Sequence, residues 1–157
     1  MAGLFASLSI IAFTIENLIP PIFIPGAKLG FSNVFILLTL ILVSPLHAYG
    51  VLITKCLLGS LLTGNISAVI YSIPAGLISL TAEWLLFRTN KFSIVAISVV
   101  SSVINVIVQN AVFCLYLNAF EYFIYLPYLA LISVLAGFTV GVIVNFTLRY
   151  FPNNHIL

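Results

Sequence analysis

Glu16, Lys28 and Lys55 are three of only eight charged residues in a chain of 157. Their types and surroundings suit them to recognising a charged or polar molecule. Lys55 lies ten residues beyond Pro45 in an apolar run. At 1.5 Å per helical residue that is about 15 Å from the helix end, near the middle of a membrane. A Lys there costs about 2.5–3.5 kcal/mol on the insertion scale, and a cost of that size calls for a partner. Glu16 is the best candidate in the sequence, and Lys28 is the third member of the group. Together the three sum to one positive charge, which favours an anionic ligand. The plainer reading is a snorkelling Lys55 and an exposed loop Lys28, with no shared site.

A second polar set could line the same place. Ser98, Ser101, Ser102, Asn105 and Gln109 fall on one face of a helix, and Asn110 falls beside it. Asn105 and Gln109 at i, i+4 either wall a pocket with donors and acceptors or tie helices together. An interhelical bond of that kind contributes about 0.6 kcal/mol on average.

What is missing narrows the chemistry. The chain contains no Asp, and magnesium–diphosphate chemistry relies on clustered carboxylates. The three Glu are far apart in sequence, which excludes a prenyl-transfer site of the Asp-rich kind. No phosphate-binding loop of the G-x-x-x-x-G-K-[ST] type occurs. His47 and His155 are poorly placed for haem or zinc, and no Ser/His/acid set is evident. Cys56 and Cys114 lack metal or disulfide-framework spacing and read as free core thiols. No cofactor and no metal are expected, and any energy or catalysis is expected from a partner.

These side chains must be held by membrane-spanning helices. Hydrophobic residues make up 63% of the chain, charged residues 5%, and the mean hydropathy is +1.31. A soluble domain carries about 25% charged residues. With about 20 apolar residues per crossing, the length allows a single all-α integral membrane domain of six transmembrane helices over 1–157. The N-terminal run has no preceding Lys or Arg and no cleavage site, so it reads as a first span rather than a signal peptide. The spans are expected over 2–19, 29–43, 45–62, 66–87, 92–117 and 126–150. Pro20-Pro21 stops the first, Ser44-Pro45 caps the third, and Thr63-Gly64-Asn65 forms a turn. Between spans 1 and 2, Glu16–Asn33 places a Glu, a Lys, two Asn and three Pro among apolar residues. Irregular backbone at membrane depth needs cover from protein or a water-filled cavity. The segment therefore reads as the mouth of a binding site.

Orientation follows from positive charge, which favours the cytoplasm. Arg88, Lys91 and Arg149 fall on one side and Lys28 on the other. Both termini are thus expected inside and the Glu16–Asn33 segment outside. Glu83, Trp84 and Arg88 read as interfacial anchors, and Glu121 with Tyr122, Tyr125 and Tyr128 as an outer aromatic belt. Asn145-Phe146-Thr147 matches a glycosylation sequon but lies in a span. Ala2-x-x-x-Ala6 and Gly137-x-x-x-Gly141 are small-residue patterns suited to close helix contact.

The block Glu16, Ile24-Pro25-Gly26-Ala27-Lys28-Leu29-Gly30, Asn33, then Lys55 and Gly59, resembles the heptaprenyl diphosphate synthase component I family, also called Gx transporter. The Asn105/Gln109 pair fits the polar helix of that family, and the resemblance runs over nearly the whole chain. The family is similar to the S components of energy-coupling factor (ECF) transporters. The resemblance implies six helices and an outward-facing pocket gated by the loop that carries Pro25, Gly26 and Gly30. It also implies docking on an ECF coupling membrane subunit with two ATPase subunits, and Ala2 and Ala6 match the helix 1 pattern that meets that subunit. Two functions are therefore expected. One is substrate binding for uptake across a bacterial cell membrane, with Glu16, Lys28, Asn33, Lys55, Asn105 and Gln109 contacting a small anionic or polar-headed molecule. The other is a non-transporting scaffold for a prenyl-lipid synthase or membrane redox system, with Lys55 sealed against Glu16 and no enclosed polar cavity.

Overall fold

The computed structural model describes residues 1–18, 30–118 and 120–150. Its regular structure there is helical throughout: α1 (Ala2–Leu18), α2 (Phe31–Leu42), α3 (Pro45–Leu62), α4 (Ala68–Arg88), α5 (Ile94–Leu117), a 3-10 segment (Phe120–Tyr125) and α6 (Leu126–Tyr150). This is the expected all-α membrane bundle. α3, α4, α5 and α6 are each long and apolar enough to cross a membrane. α2 is not. Its 12 residues reach about 18 Å at 1.5 Å per residue, against a hydrocarbon core of about 30 Å. It starts at Phe31 because Gly30 takes a left-handed conformation, φ 77°, which only glycine adopts without strain.

Local chemistry sets the other boundaries. Ser44 is extended, and its hydroxyl accepts from the His47 N–H, while Pro45 occupies the first turn, where no intrahelical N–H is needed. Ser93 caps α5 by accepting from the Ala96 N–H at 3.2 Å, so that helix begins at Ile94 rather than Phe92. Asn118 closes it with φ 51°, a conformation Asn tolerates. α4 continues through Pro74.

The bundle is apolar outside and polar within. Leu4, Ile11, Leu61, Leu131 and Phe138 are all more than half exposed. Lys55, Glu83, Asn110 and seven serines are buried. Lipid is as apolar as Leu, so helices gain little by hiding aliphatic side chains, and polar and small residues mark the contacts. On α5 and α6, Ser102 Oγ donates to Ser133 O at 2.7 Å. A Cβ on Gly137 would lie 2.8 Å from Ser98 O, and one on Gly141 would lie 2.6 Å from Val95 Cα. The Gly137/Gly141 pattern thus packs inside the chain. Leu52 of α3 seats against Gly76 of α4, and Tyr49 Oη lies 2.8 Å from Thr81 Oγ1. Ser101 Oγ donates to Ser79 O across α5 and α4, and Ser9 Oγ donates to Ser32 O across α1 and α2. α2 also packs on α6. The helices α2 to α6 therefore close a ring, with α1 against α2 and α3.

Candidate functional site

A cavity of about 120 Å³ lies inside this ring. Its walls come from all six helices, and Lys55 stands within it. The side chain is 7% exposed, and Nζ donates to Asn33 Oδ1 at 2.8 Å. The Phe13 ring covers the ammonium at 5.6 Å from its centroid. Gly59 makes that possible, since a Cβ there would lie 2.7 Å from Phe13 Cε1. A neutral amide oxygen and an aromatic face contact the cation, and the Glu16 carboxylate of the same cavity attracts it.

Glu16 reaches the same cavity by another route. One carboxylate oxygen accepts the Phe31 N–H, and the other accepts from Ser32 Oγ at 3.4 Å. A carboxylate at the first N–H groups of a helix meets both unpaired donors and a favourable dipole. Glu16 therefore caps α2, while the Lys55 ammonium donates to Asn33 and lies within the field of the Glu16 carboxylate. The Asn33 contact depends on α2 starting at Gly30–Phe31, which the sequence does not mark.

α5 supplies the opposite wall and divides the polar stripe in two. Ser101 and Ser102 make interhelical hydrogen bonds. Asn105 and Gln109 line the cavity, and no described residue hydrogen-bonds their side chains. Their amides are available to a guest. Asn110 turns away and accepts from Cys114 Sγ at 3.1 Å.

Lys28, Pro25 and Gly26 lie outside the described residues. Gly30 does line the cavity. Ala2 and Ala6 are half-buried, and Ala6 packs on the apolar core, whereas Leu4, Ile11 and Ile15 form the exposed side of α1.

Glu83 overturns the reading of it as an interfacial anchor. It is 7% exposed and lines the cavity. Arg88 is exposed at the end of α4, with its guanidinium 5.9 Å from the centroid of the Trp84 ring. The signal was present in the spacing: Gly76, Ser79 and Glu83 stand three and four residues apart, on one face of α4. The described lining therefore carries two carboxylates, Glu16 and Glu83, and one ammonium, Lys55. The net positive balance inferred from Glu16, Lys28 and Lys55 includes Lys28, which lies outside the described residues.

The volume restricts the guest. Pockets for drug-sized ligands span about 300–1,000 Å³, so about 120 Å³ admits a small polar molecule or one headgroup, not a long prenyl chain. No group of three or more metal-ligating side chains occurs among the described residues. No curated protein and no solved structure matches the chain. One family model, described as heptaprenyl diphosphate synthase component I, matches residues 5–147. By that match, over nearly all of its length and over the helices that build the cavity, the chain belongs to the heptaprenyl diphosphate synthase component I family.

Proposed function

We propose that this chain is a non-catalytic membrane subunit of a prenyl-lipid synthase system, and that its cavity binds a small polar molecule or headgroup. The cavity carries the binding half of the reading: Lys55, Asn105 and Gln109 present polar atoms to one partly open space inside the bundle. The family description supports the other half, since a component I implies a second component. A subunit without Asp, whose cavity carboxylates Glu16 and Glu83 come from different helices, has no carboxylate cluster to hold a metal diphosphate. Catalysis is then left to the partner. The charge bias supports an orientation with both termini cytoplasmic.

A second reading is favoured by the same cavity. A polar site inside the bundle is what a substrate-binding uptake subunit needs, and a scaffold alone would not need it. In that reading the partners are an ECF coupling subunit and two ATPases, and the likeness rests on the sequence motifs. Purification of the full chain from native membranes, with mass spectrometry of its proteins and small molecules, separates the two. A prenyl diphosphate synthase subunit in the eluate is the expected result. ATPase subunits in its place would overturn the first reading in favour of the second.

A further inference from the structure

Glu83 stands at the far end of the cavity from Lys55. Leu52 of α3 faces Gly76 of α4, Lys55 lies three residues beyond Leu52, and Glu83 lies seven residues beyond Gly76. The two helices are antiparallel, so their backbone levels are about 15 Å apart at 1.5 Å per residue. The Cα–Cβ bonds of helical residues tilt toward the helix N-terminus, so both charged side chains lean into the space between.

No described residue donates a hydrogen bond to the Glu83 carboxylate. Of the cations at the same end of the bundle, Arg88 lies over Trp84, Arg149 lies over Phe146, and Lys91 is exposed in the turn after α4. Ser98 also lines the cavity at 4% exposure, and its hydroxyl has no described partner. Its level matches that of Glu83. Ser101 Oγ bonds Ser79 O, and Ser98 and Glu83 lie three and four residues from that bond toward the same end. Ser79 and Ser101 spend their hydroxyl protons on carbonyls, which leaves their oxygens as acceptors. Apart from the Ser98 hydroxyl, this end of the cavity offers acceptors rather than donors. A buried carboxyl group in that position is costly as a carboxylate unless something positive meets it, and otherwise holds a proton.

We infer that the Glu83 end of the cavity binds a monovalent cationic group, with Glu83 as its counter-charge and Ser98 as a further oxygen ligand. The inference rests on the cavity being a binding site. It makes that site dipolar: an acidic or acceptor group meets Lys55, and a cationic group meets Glu83. An alkali cation and the ammonium of an organic guest share this chemistry.

The test uses the full chain in lipid nanodiscs at constant ionic strength, held with N-methylglucamine chloride. Sodium, potassium and methylammonium chloride are titrated separately, and the unfolding temperature is followed. The expected result is a saturable rise with at least one series. Glu83→Gln should raise the half-saturating concentration about tenfold or more, as for loss of a charge-assisted bond. Ser98→Ala should raise it less, and Glu121→Gln, which removes an exposed carboxylate outside the cavity lining, should leave the response in place. Saturation by sodium or potassium alone identifies an inorganic ion, and saturation by methylammonium alone identifies an ammonium-bearing guest. If Glu83→Gln does not fold, Glu83→Asp keeps the charge but withdraws it, and should weaken the response several-fold. No saturable rise in the wild type, or equal half-saturation in the Glu83 variants, overturns the site. A chain that recovers a synthase subunit but shows no cation response refutes this site alone. A saturable response in a chain that recovers none refutes the subunit reading alone.

Discussion

Lys55 and Asn33 form the polar contact on which the cavity depends. Their hydrogen bond is 2.8 Å long with the ammonium buried. Removing the acceptor leaves a buried cation without its partner, which costs about 1–3 kcal/mol or more. Asn33→Leu should therefore destabilise the protein by that amount in detergent unfolding. In a Lys55→Met background the same change should cost much less, since no charge is left to strand. Equal costs in both backgrounds would show that the bond contributes nothing. Lys55→Ala should also lower the amount of co-purifying small molecule per mole of folded protein, and an undiminished yield would remove Lys55 from the site. The position of Lys55 was legible in the sequence because a charge in mid-span has few bland explanations. Its partner was not, because pairing depends on where α2 begins. Glu83 was misread because Trp84 and Arg88 beside it carry the usual signature of a membrane interface, and the inward spacing from Gly76 and Ser79 is a weaker signal.

At the scale of helices, glycines report where backbones must touch. Gly50 and Gly137 both lie inside helices, and by propensity alone each Gly→Ala change would stabilise by about 0.5–1 kcal/mol. Their surroundings differ. A Cβ on Gly50 meets nothing within 4 Å, whereas one on Gly137 meets the backbone of α5 at 2.8 Å. Gly50→Ala should raise the unfolding temperature. Gly137→Ala should lower it, since overpacking costs about 1–3 kcal/mol. The same sign for both would mean that α5 and α6 are not in close contact. Gly30→Ala tests the start of α2 in another way: its φ of 77° costs a residue with a Cβ about 1–2 kcal/mol. Any such variant that folds should bind less guest, because Glu16 and Asn33 both depend on where α2 starts. The long helices were legible as apolar runs between Pro, Ser, Gly and Asn punctuation. The short α2 was expected to run further in both directions, because hydropathy marks apolar residues and does not record where the backbone turns.

For the whole molecule, the two ends of the cavity acquire meaning only once each is assigned to a side of the membrane. Arg88, Lys91 and Arg149 belong to the end where α4 and α6 finish and α5 starts, and the Lys/Arg bias makes that the expected cytoplasmic end. Glu83 then faces inward in depth, and Glu16 with Gly30 faces outward. Cysteine labelling can read this directly, because the native thiols Cys56 and Cys114 are buried. Asn65, between α3 and α4, and Thr89, just past α4, are both exposed. A membrane-impermeant maleimide should label Asn65→Cys in intact cells and label Thr89→Cys only after permeabilisation. The reverse pattern would invert the protein and change the functional argument. With Gly30 outward, the Lys55 end of the cavity collects its guest from outside, which suits uptake, or a headgroup from the outer leaflet. With Gly30 inward, the same end opens toward cytoplasmic prenyl diphosphate chemistry, and a synthase partner would have to dock there. The expected orientation instead leaves the Arg88–Lys91 end as the cytoplasmic docking side. Loss of a co-purifying synthase subunit from the doubly substituted Arg88→Gln, Lys91→Gln chain, with its guest retained, would place partner and ligand at opposite ends of the bundle.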